Sequence, residues 1–342
     1  MYLGLQAARG IAALLVVLLH ATLGAEVFYG EPFDGFWGFG HVGVDFFFVL
    51  SGFIIFHAHR SDAGGWHGWK RYFTKRLLRI YPAFLPISIL MLLLYHYFGH
   101  LALGDREIGI LPSLLLIPTG QSPALVVAWT LMHEMLFYCV FSIRFISKKA
   151  FGVLAWVWVL AILIHNVSPS TDQTLILFLL NAYNLEFLAG IGVAWLVAKQ
   201  YAGNALLLPI GVITLSAFAI SSHLIPNLVG RPGQLAPTLF LALTFSLIVW
   251  GLCFFESRHR FPVPRWLILV GAASYSIYLI HSPAISVLNR VAALIHQRLP
   301  LPADILFLLI VVLAAMIGIA YYMAWEKPVL TRLRRRWLKP YR

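Results

Sequence analysis

Ten apolar stretches follow one another along this chain. Each approaches the roughly 20 residues that a helix needs to cross the hydrocarbon core of a bilayer. They run over about 8–27, 41–58, 80–98, 124–146, 151–167, 174–198, 205–222, 236–255, 267–288 and 304–325, with short polar connections between them. A segment in hydrocarbon has no water to hydrogen-bond its backbone, so each run is held to helix. The expected fold is therefore all-α: a polytopic integral membrane bundle of about ten transmembrane helices. Only 11% of the residues are charged, against roughly 25% in soluble domains, and 61% are hydrophobic. No connection is long enough for a separate soluble domain, so residues 1–342 are expected to form a single transmembrane domain with no fused soluble domain. The first run lacks a basic lead and exceeds the apolar length of a signal peptide, so it is expected to be a retained first helix.

Charge gives the expected orientation. The net charge of +12 would suit nucleic acid, but the cations sit in short connections between apolar runs, as topology signals do. With both termini cytoplasmic, 21 of the 25 lysines and arginines fall on the inner side, among them Arg9, the run from Arg60 to Arg79, Arg144, Arg260, Lys339 and Arg342. Only Arg106, Arg231, Arg290 and Arg298 fall outside. The outer connections 24–40, 99–123 and 226–237 carry glycine, proline and acids, and can form a shallow vestibule. Cys139 and Cys253 lie inside apolar runs and are expected to be packed, with no disulfide framework and no metal-ligand spacing.

The informative residues are polar ones inside the spans, because a buried ionisable group in a membrane helix is costly and normally faces the bundle interior. In the first run Arg9 and His20 are eleven positions apart, which in a helix is three turns, about 16 Å of rise and a return to nearly the same face. Asp45 lies in the second run and Glu134 in the fourth. Glu186 follows Asn181, Tyr183 and Asn184 in the sixth, and Ser274, Tyr275, Ser276, Tyr278 and His281 crowd the ninth. Arg9, His20, Asp45 and Glu134 together point to a functional set more than to separate structural hydrogen-bond hubs. His20 is the candidate for chemistry, against the bland reading of an interhelical partner. His41 and Asp45, one turn apart, can pair structurally or functionally, and His281 is open between the same two readings. His133 lacks the second histidine of a zinc-protease motif, which would fall at Phe137, and reads as packing. His57, His59 and His67 sit in the basic connection and are expected to be solvated. Ser51 lacks the frame of a nucleophile elbow.

The connection after the second run is strongly basic: Lys70-Arg71-Tyr72-Phe73-Thr74-Lys75-Arg76-Leu77-Leu78-Arg79-Ile80-Tyr81-Pro82. Arg76 and Arg79 are spaced to share one side of a helix. They can anchor the chain at anionic lipid, or clamp a phosphate with two guanidinium forks; their chemistry alone leaves both open.

Taken together these motifs resemble the acyltransferase-3 family of bacterial membrane O-acyltransferases, which acylate surface polysaccharides and related acceptors. The resemblance rests on Leu5-Gln6-x-x-Arg9-Gly10-Ile11-Ala12 with His20 beyond it, and on Val42-Gly43-Val44-Asp45-Phe46-Phe47-Phe48-Val49-Leu50-Ser51-Gly52-Phe53. It continues through Arg76-x-x-Arg79-Ile80-Tyr81-Pro82 and Trp129-Thr130-Leu131-x-x-Glu134-x-x-Phe137-Tyr138. It closes with Ser274-Tyr275-Ser276-Ile277-Tyr278-Leu279-x-His281 and Glu326-Lys327-Pro328. The chain looks most like the stand-alone exopolysaccharide acetyltransferase branch; it has Phe39-Gly40-His41 where many relatives carry paired glycines.

The resemblance implies a multi-pass protein of the bacterial cytoplasmic membrane. It implies acetyl-CoA as cytoplasmic acyl donor, the hydroxyl of a glycan or lipid-linked saccharide as acceptor, membrane lipid as surroundings, and no nucleic acid. The family's essential arginine and histidine map onto Arg9 and His20, and its Arg-x-x-Arg onto Arg76 and Arg79, which favours the phosphate clamp, with Arg9 supporting the donor. His20 would act as general base or carry the acyl group itself, and Asp45 or Glu134 could orient its ring. No metal is required. The competing class is a proton-coupled transporter or flippase of an envelope glycan precursor, which buried acids, histidine and arginine would also suit. Paired helix breaks in matching halves, the mark of many carriers, are not seen in the sequence.

Overall fold

A computed structural model describes residues 2–99, 106–168, 173–201, 203–225, 230–259, 262–299 and 301–337. Arg260, Lys339 and Arg342, and the parts of the outer connections at 100–105 and 226–229, lie outside the described residues. Helix accounts for 83% of the structure, and no strand forms among the described residues. The helices are α1 (Leu3–Phe28), α2 (Val42–His59), α3 (Trp66–Phe98), α4 (Ile110–Leu115), α5 (Ala128–Ser142), α6 (Lys148–Val167), α7 (Thr174–Leu179), α8 (Asn184–Ala198), α9 (Leu207–Leu224), α10 (Leu235–Arg258), α11 (Arg265–Arg298), α12 (Ala303–Tyr321) and α13 (Lys327–Trp337). A 3₁₀ segment, Pro32–His41, leads into α2, and a π turn, Tyr322–Glu326, joins α12 to α13.

Nine helical segments among the described residues are long and apolar enough to cross a membrane, with α7 and α8 counted together. The expected span 124–146 is realised as α5, whose 15 residues rise only about 22 Å before a 3₁₀ turn. The basic run Lys70–Arg79 is helix rather than connection: α3 starts at Trp66 and continues for 33 residues, since lysine and arginine are good helix formers. Leu93, Trp156, Val157, Leu160, Ile213, Leu309 and Val312 face outward, the apolar exterior that lipid requires.

The chain divides into two compact units. The first comprises Met1–His57 and Glu186–Tyr322. In it α1 packs along α11, α11 along α12, and α9 along α10, with the 3₁₀ segment laid on α1. Small residues allow these backbones to approach. A Cβ on Gly271 of α11 would overlap the Gln6 carbonyl of α1, and one on Gly190 of α8 would overlap the Val49 carbonyl of α2. Two apolar cores result. Val42, Phe46, Val49 and Phe53 meet Phe245, Ile248 and Val249 in one. Ala13 and Val17 meet Ala273, Ile277, Phe307 and Ile310 in the other.

The second unit comprises Ala58–Leu185 and Met323–Arg342. Its centre is Tyr72, fully buried among Tyr138, Phe141 and Phe145, with its hydroxyl donating to the Tyr138 carbonyl at 3.2 Å. Arg144 donates to the carbonyls of His59 and Arg60 at 3.1 and 2.6 Å and ties down the chain after α2. Pro82 and Pro86 both interrupt α3. Proline at 86 has no N–H for the carbonyl one turn back, and the Trp325 indole N–H takes that place on the Pro82 carbonyl at 2.8 Å. The π turn thus mends a defect that the α3 sequence creates.

Candidate functional site

His20 projects from α1 within the first unit and is half-buried. Its Nδ1 lies 2.9 Å from the Val16 carbonyl one turn back. A carbonyl only accepts, so the network assigns the proton to Nδ1 and leaves the Nε2 lone pair available. The second neighbour is His281 of α11, whose Nε2 is 3.3 Å from His20 Nδ1. The two rings meet edge to face, with centroids 4.8 Å apart and planes at 70°. His281 is completely buried. Its own Nδ1 faces the Ile277 carbonyl at 3.3 Å and donates to it, which makes Nε2 an acceptor. The single Nδ1–H of His20 is therefore shared, with its shorter leg to the Val16 carbonyl and its longer leg to His281 Nε2. Arg9 is half-buried on the same helix, three turns before His20.

Asp45 is placed elsewhere in this unit. It is 2% exposed, and its Oδ2 is 3.7 Å from His41 Nδ1. Its carboxyl adjoins that of Glu186, which is fully buried and has no hydrogen-bond partner of ordinary geometry at either oxygen. Among the described residues the His20 ring meets Val16 and His281, while Asp45 is directed to His41 and Glu186. A carboxylate was the sequence-based candidate for orienting His20; the structure shows a second histidine there. His281 was legible only as one polar residue in a crowded span, because which helix lies beside α1 is a tertiary fact.

The second unit holds the remaining candidates. Arg76 and Arg79 project from α3, and each has a partner within the protein. Arg76 donates to His59 Nε2 at 2.9 Å, and His59 Nδ1 meets Asp62 at 2.7 Å. Its guanidinium also lies over the Tyr72 and Tyr138 rings, at 5.7 and 5.6 Å. Arg79 donates to Glu326 Oε1 at 2.7 Å, and the Glu326 side chain is fully buried. Glu134 accepts from the Tyr138 hydroxyl. A charge-assisted network thus holds both guanidinium groups in place, leaving the geometry of two oriented cations on one helix.

Three expectations about single residues change. His59 is not solvated: it is 1% exposed, because Asp62 and Arg76 satisfy both its nitrogens. His57 is half-buried and stacks on Phe53 at 5.5 Å, and of the three only His67 is exposed. Cys253 is packed as expected, whereas Cys139 faces outward, since α5 turns that side away from the unit's aromatic centre. His133 is a core residue, 4% exposed and hydrogen-bonded to Asn184 at 3.0 Å. Among the described residues no group of three or more His, Cys, Asp or Glu could hold a metal ion.

Comparison with known proteins places this arrangement. The acyltransferase domain model Acyl_transf_3 matches residues 2–323. The exopolysaccharide production protein ExoZ of Rhizobium meliloti (strain 1021) is 32% identical over 314 residues, which covers 87% of this chain and 92% of that protein. An O-acetyl transferase of Shigella phage Sf6 is 28% identical over 267 residues, covering 70% of this chain and 74% of the relative. No solved structure matches. A family model spanning nearly the whole chain, together with a 32% identical relative covered over 92% of its length, shows that the chain belongs to the acyltransferase-3 family of membrane O-acyltransferases.

Proposed function

We propose that this protein transfers an acetyl group from cytoplasmic acetyl-CoA to a hydroxyl of an exported polysaccharide, or of its lipid-linked precursor, at the bacterial cytoplasmic membrane. The observation that carries the reading is the His20 ring, with Nδ1 engaged and the Nε2 lone pair available. With both termini cytoplasmic, as the loop charges argue, Arg9 lies at the inner end of α1 and His20 three turns deeper. Arg76 and Arg79 in the second unit are assigned to the donor's phosphates, and in the first unit Arg9 is assigned to the donor and His20 to its thioester. His20 Nε2 takes the hydroxyl proton, the oxygen attacks the thioester carbon, the C–S bond breaks, and the imidazolium returns the proton to the departing thiolate. The reaction consumes no net proton. The polysaccharide acceptor is carried by the names of the relatives, one an exopolysaccharide production protein and one an O-acetyl transferase.

The test uses radiolabelled acetyl-CoA, with exopolysaccharide of the host, de-O-acetylated by mild base, as acceptor. His20→Ala should abolish transfer while the protein still reaches the membrane; acylation at the normal rate in that variant overturns the assignment. Arg76→Ala with Arg79→Ala should weaken acetyl-CoA binding, and unchanged donor affinity would return the pair to a topological role.

A further inference from the structure

A fully buried histidine inside a membrane bundle requires an account, because an imidazole withdrawn from water is costly unless its nitrogens find partners. Both nitrogens of His281 do, and both partners are protein: Nδ1 at the Ile277 carbonyl and Nε2 at His20. No part of the His281 side chain is exposed, so it is closed to substrate. What it can act on is the His20 ring. Val16 also contacts that ring, but its carbonyl is already the helical acceptor for the backbone N–H four residues on. A single shared carbonyl leaves the imidazole plane weakly determined. A second acceptor on another helix, meeting the ring edge to face at 70°, determines it.

We propose that His281 is the positioning residue for acyl transfer: its Nε2 lone pair shares the Nδ1–H of His20 with the Val16 carbonyl, fixes the plane of that ring with Nε2 left basic, and stabilises the imidazolium that forms in the reaction. This rests on His20 being the catalytic base. When His20 Nε2 takes the acceptor's proton, the positive charge spreads to Nδ1–H and strengthens the bond to His281, which stays neutral. When the proton passes to the departing thiolate, the bond returns to its resting strength. His281 is unchanged over the cycle. Its interaction is stronger in the transition state than in the ground state, which is the condition for an effect on kcat rather than on KM.

The experiment uses the purified full-length chain in detergent, radiolabelled acetyl-CoA and the base-treated host exopolysaccharide. His281→Phe keeps a ring beside His20 and removes the acceptor, and His281→Leu removes both. His281→Gln offers a carbonyl oxygen in place of Nε2. Loss of a hydrogen bond to a charged group corresponds to a roughly ten- to hundredfold fall in kcat. That fall is expected in the Phe and Leu variants, with KM for acetyl-CoA changed by less than about twofold, while the Gln variant recovers most of the lost rate. The proposal is overturned if a Phe or Leu variant that elutes as a single species keeps the wild-type kcat. It is also overturned if the Gln variant falls as far as they do, or if KM rather than kcat carries the loss. His20→Ala, assayed beside them, separates the two levels: transfer in that variant at the wild-type rate removes the reading of His20 itself, whereas an inactive His20→Ala with a fully active His281→Phe removes only the role of His281.

Discussion

The Arg79–Glu326 pair offers a double-mutant cycle whose sign, and not only its size, follows from the structure. The two groups meet at 2.7 Å, with the carboxylate side chain at 0% exposure and the guanidinium at 26%. Exposed ion pairs contribute about 0.2–1 kcal/mol, whereas removing one partner of a fully buried pair costs about 3–5 kcal/mol. With one end dry and the other partly wet, the coupling should lie near 2 kcal/mol. The two single variants should differ. Arg79→Ala takes the cation away from the fully buried charge and should cost the more, about 3 kcal/mol. Glu326→Ala leaves the cation on the side with access to solvent and should cost about 2 kcal/mol. Removing both eliminates the stranded carboxylate, so the double variant should cost about 3 kcal/mol, no more than Arg79→Ala alone and about 2 kcal/mol less than the sum of the two single losses. At roughly 2 °C per kcal/mol for a large chain, the non-additivity is about 4 °C in the melting temperature of the detergent-purified protein. Intrinsic fluorescence during heating measures all four proteins under one condition. A double variant that melts lower by the full sum of the two single losses would refute the argument, since it would mean that the two groups act independently.

Two further predictions concern stability. Trp325→Phe removes the donor to the Pro82 carbonyl and should cost about 1 kcal/mol; adding Pro86→Ala restores a backbone N–H for that carbonyl and should recover much of the loss in a thermal melt, with no recovery counting against the repair reading. Burial pushes the Tyr29 hydroxyl up to about 12 from an ordinary value of 10, and it donates to Asn289 at 2.8 Å. The folded state therefore keeps its proton where the unfolded chain loses it. The stabilisation is complete below pH 10 and fades as pH rises through about 12, so Tyr29→Phe should flatten the fall in melting temperature between pH 10 and 12; an unchanged slope would show that Tyr29 does not contribute.

The candidate site was legible as a set of polar positions because lipid removes alternatives. An apolar run in hydrocarbon can only be helix, and on a helix the separation of Arg9 from His20, or of Arg76 from Arg79, already states which groups share a side. What spacing could not supply was the partner across the gap. Asp45 looked as suitable as any residue to orient His20, and its acidity is as plain in the sequence as that of Glu134. Yet Asp45 faces Glu186 and His41, and the ring of His20 meets His281, 261 positions away in the chain. His59 looked like a solvated loop residue for the same reason: its neighbours Asp62 and Arg76 become its partners only when the start of α3 folds back beside the end of α2.

Length, hydropathy and charge thus determine by themselves that this chain is a helical membrane protein, and the motif spacing marks the acyltransferase-3 family, because these are one-dimensional properties that one helix or one connection can carry. The assignment of partners was decided only in three dimensions. Which donor caps the carbonyl that Pro86 leaves open, which acid holds Arg79, and which ring meets His20 from a second helix all depend on backbones brought close by residues such as Gly271 and on a π turn that delivers Trp325 and Glu326 together. Each of these is a contact of a few ångströms between residues far apart in sequence, where the distance-dependent energy of a hydrogen bond or ion pair is resolved and periodicity is silent.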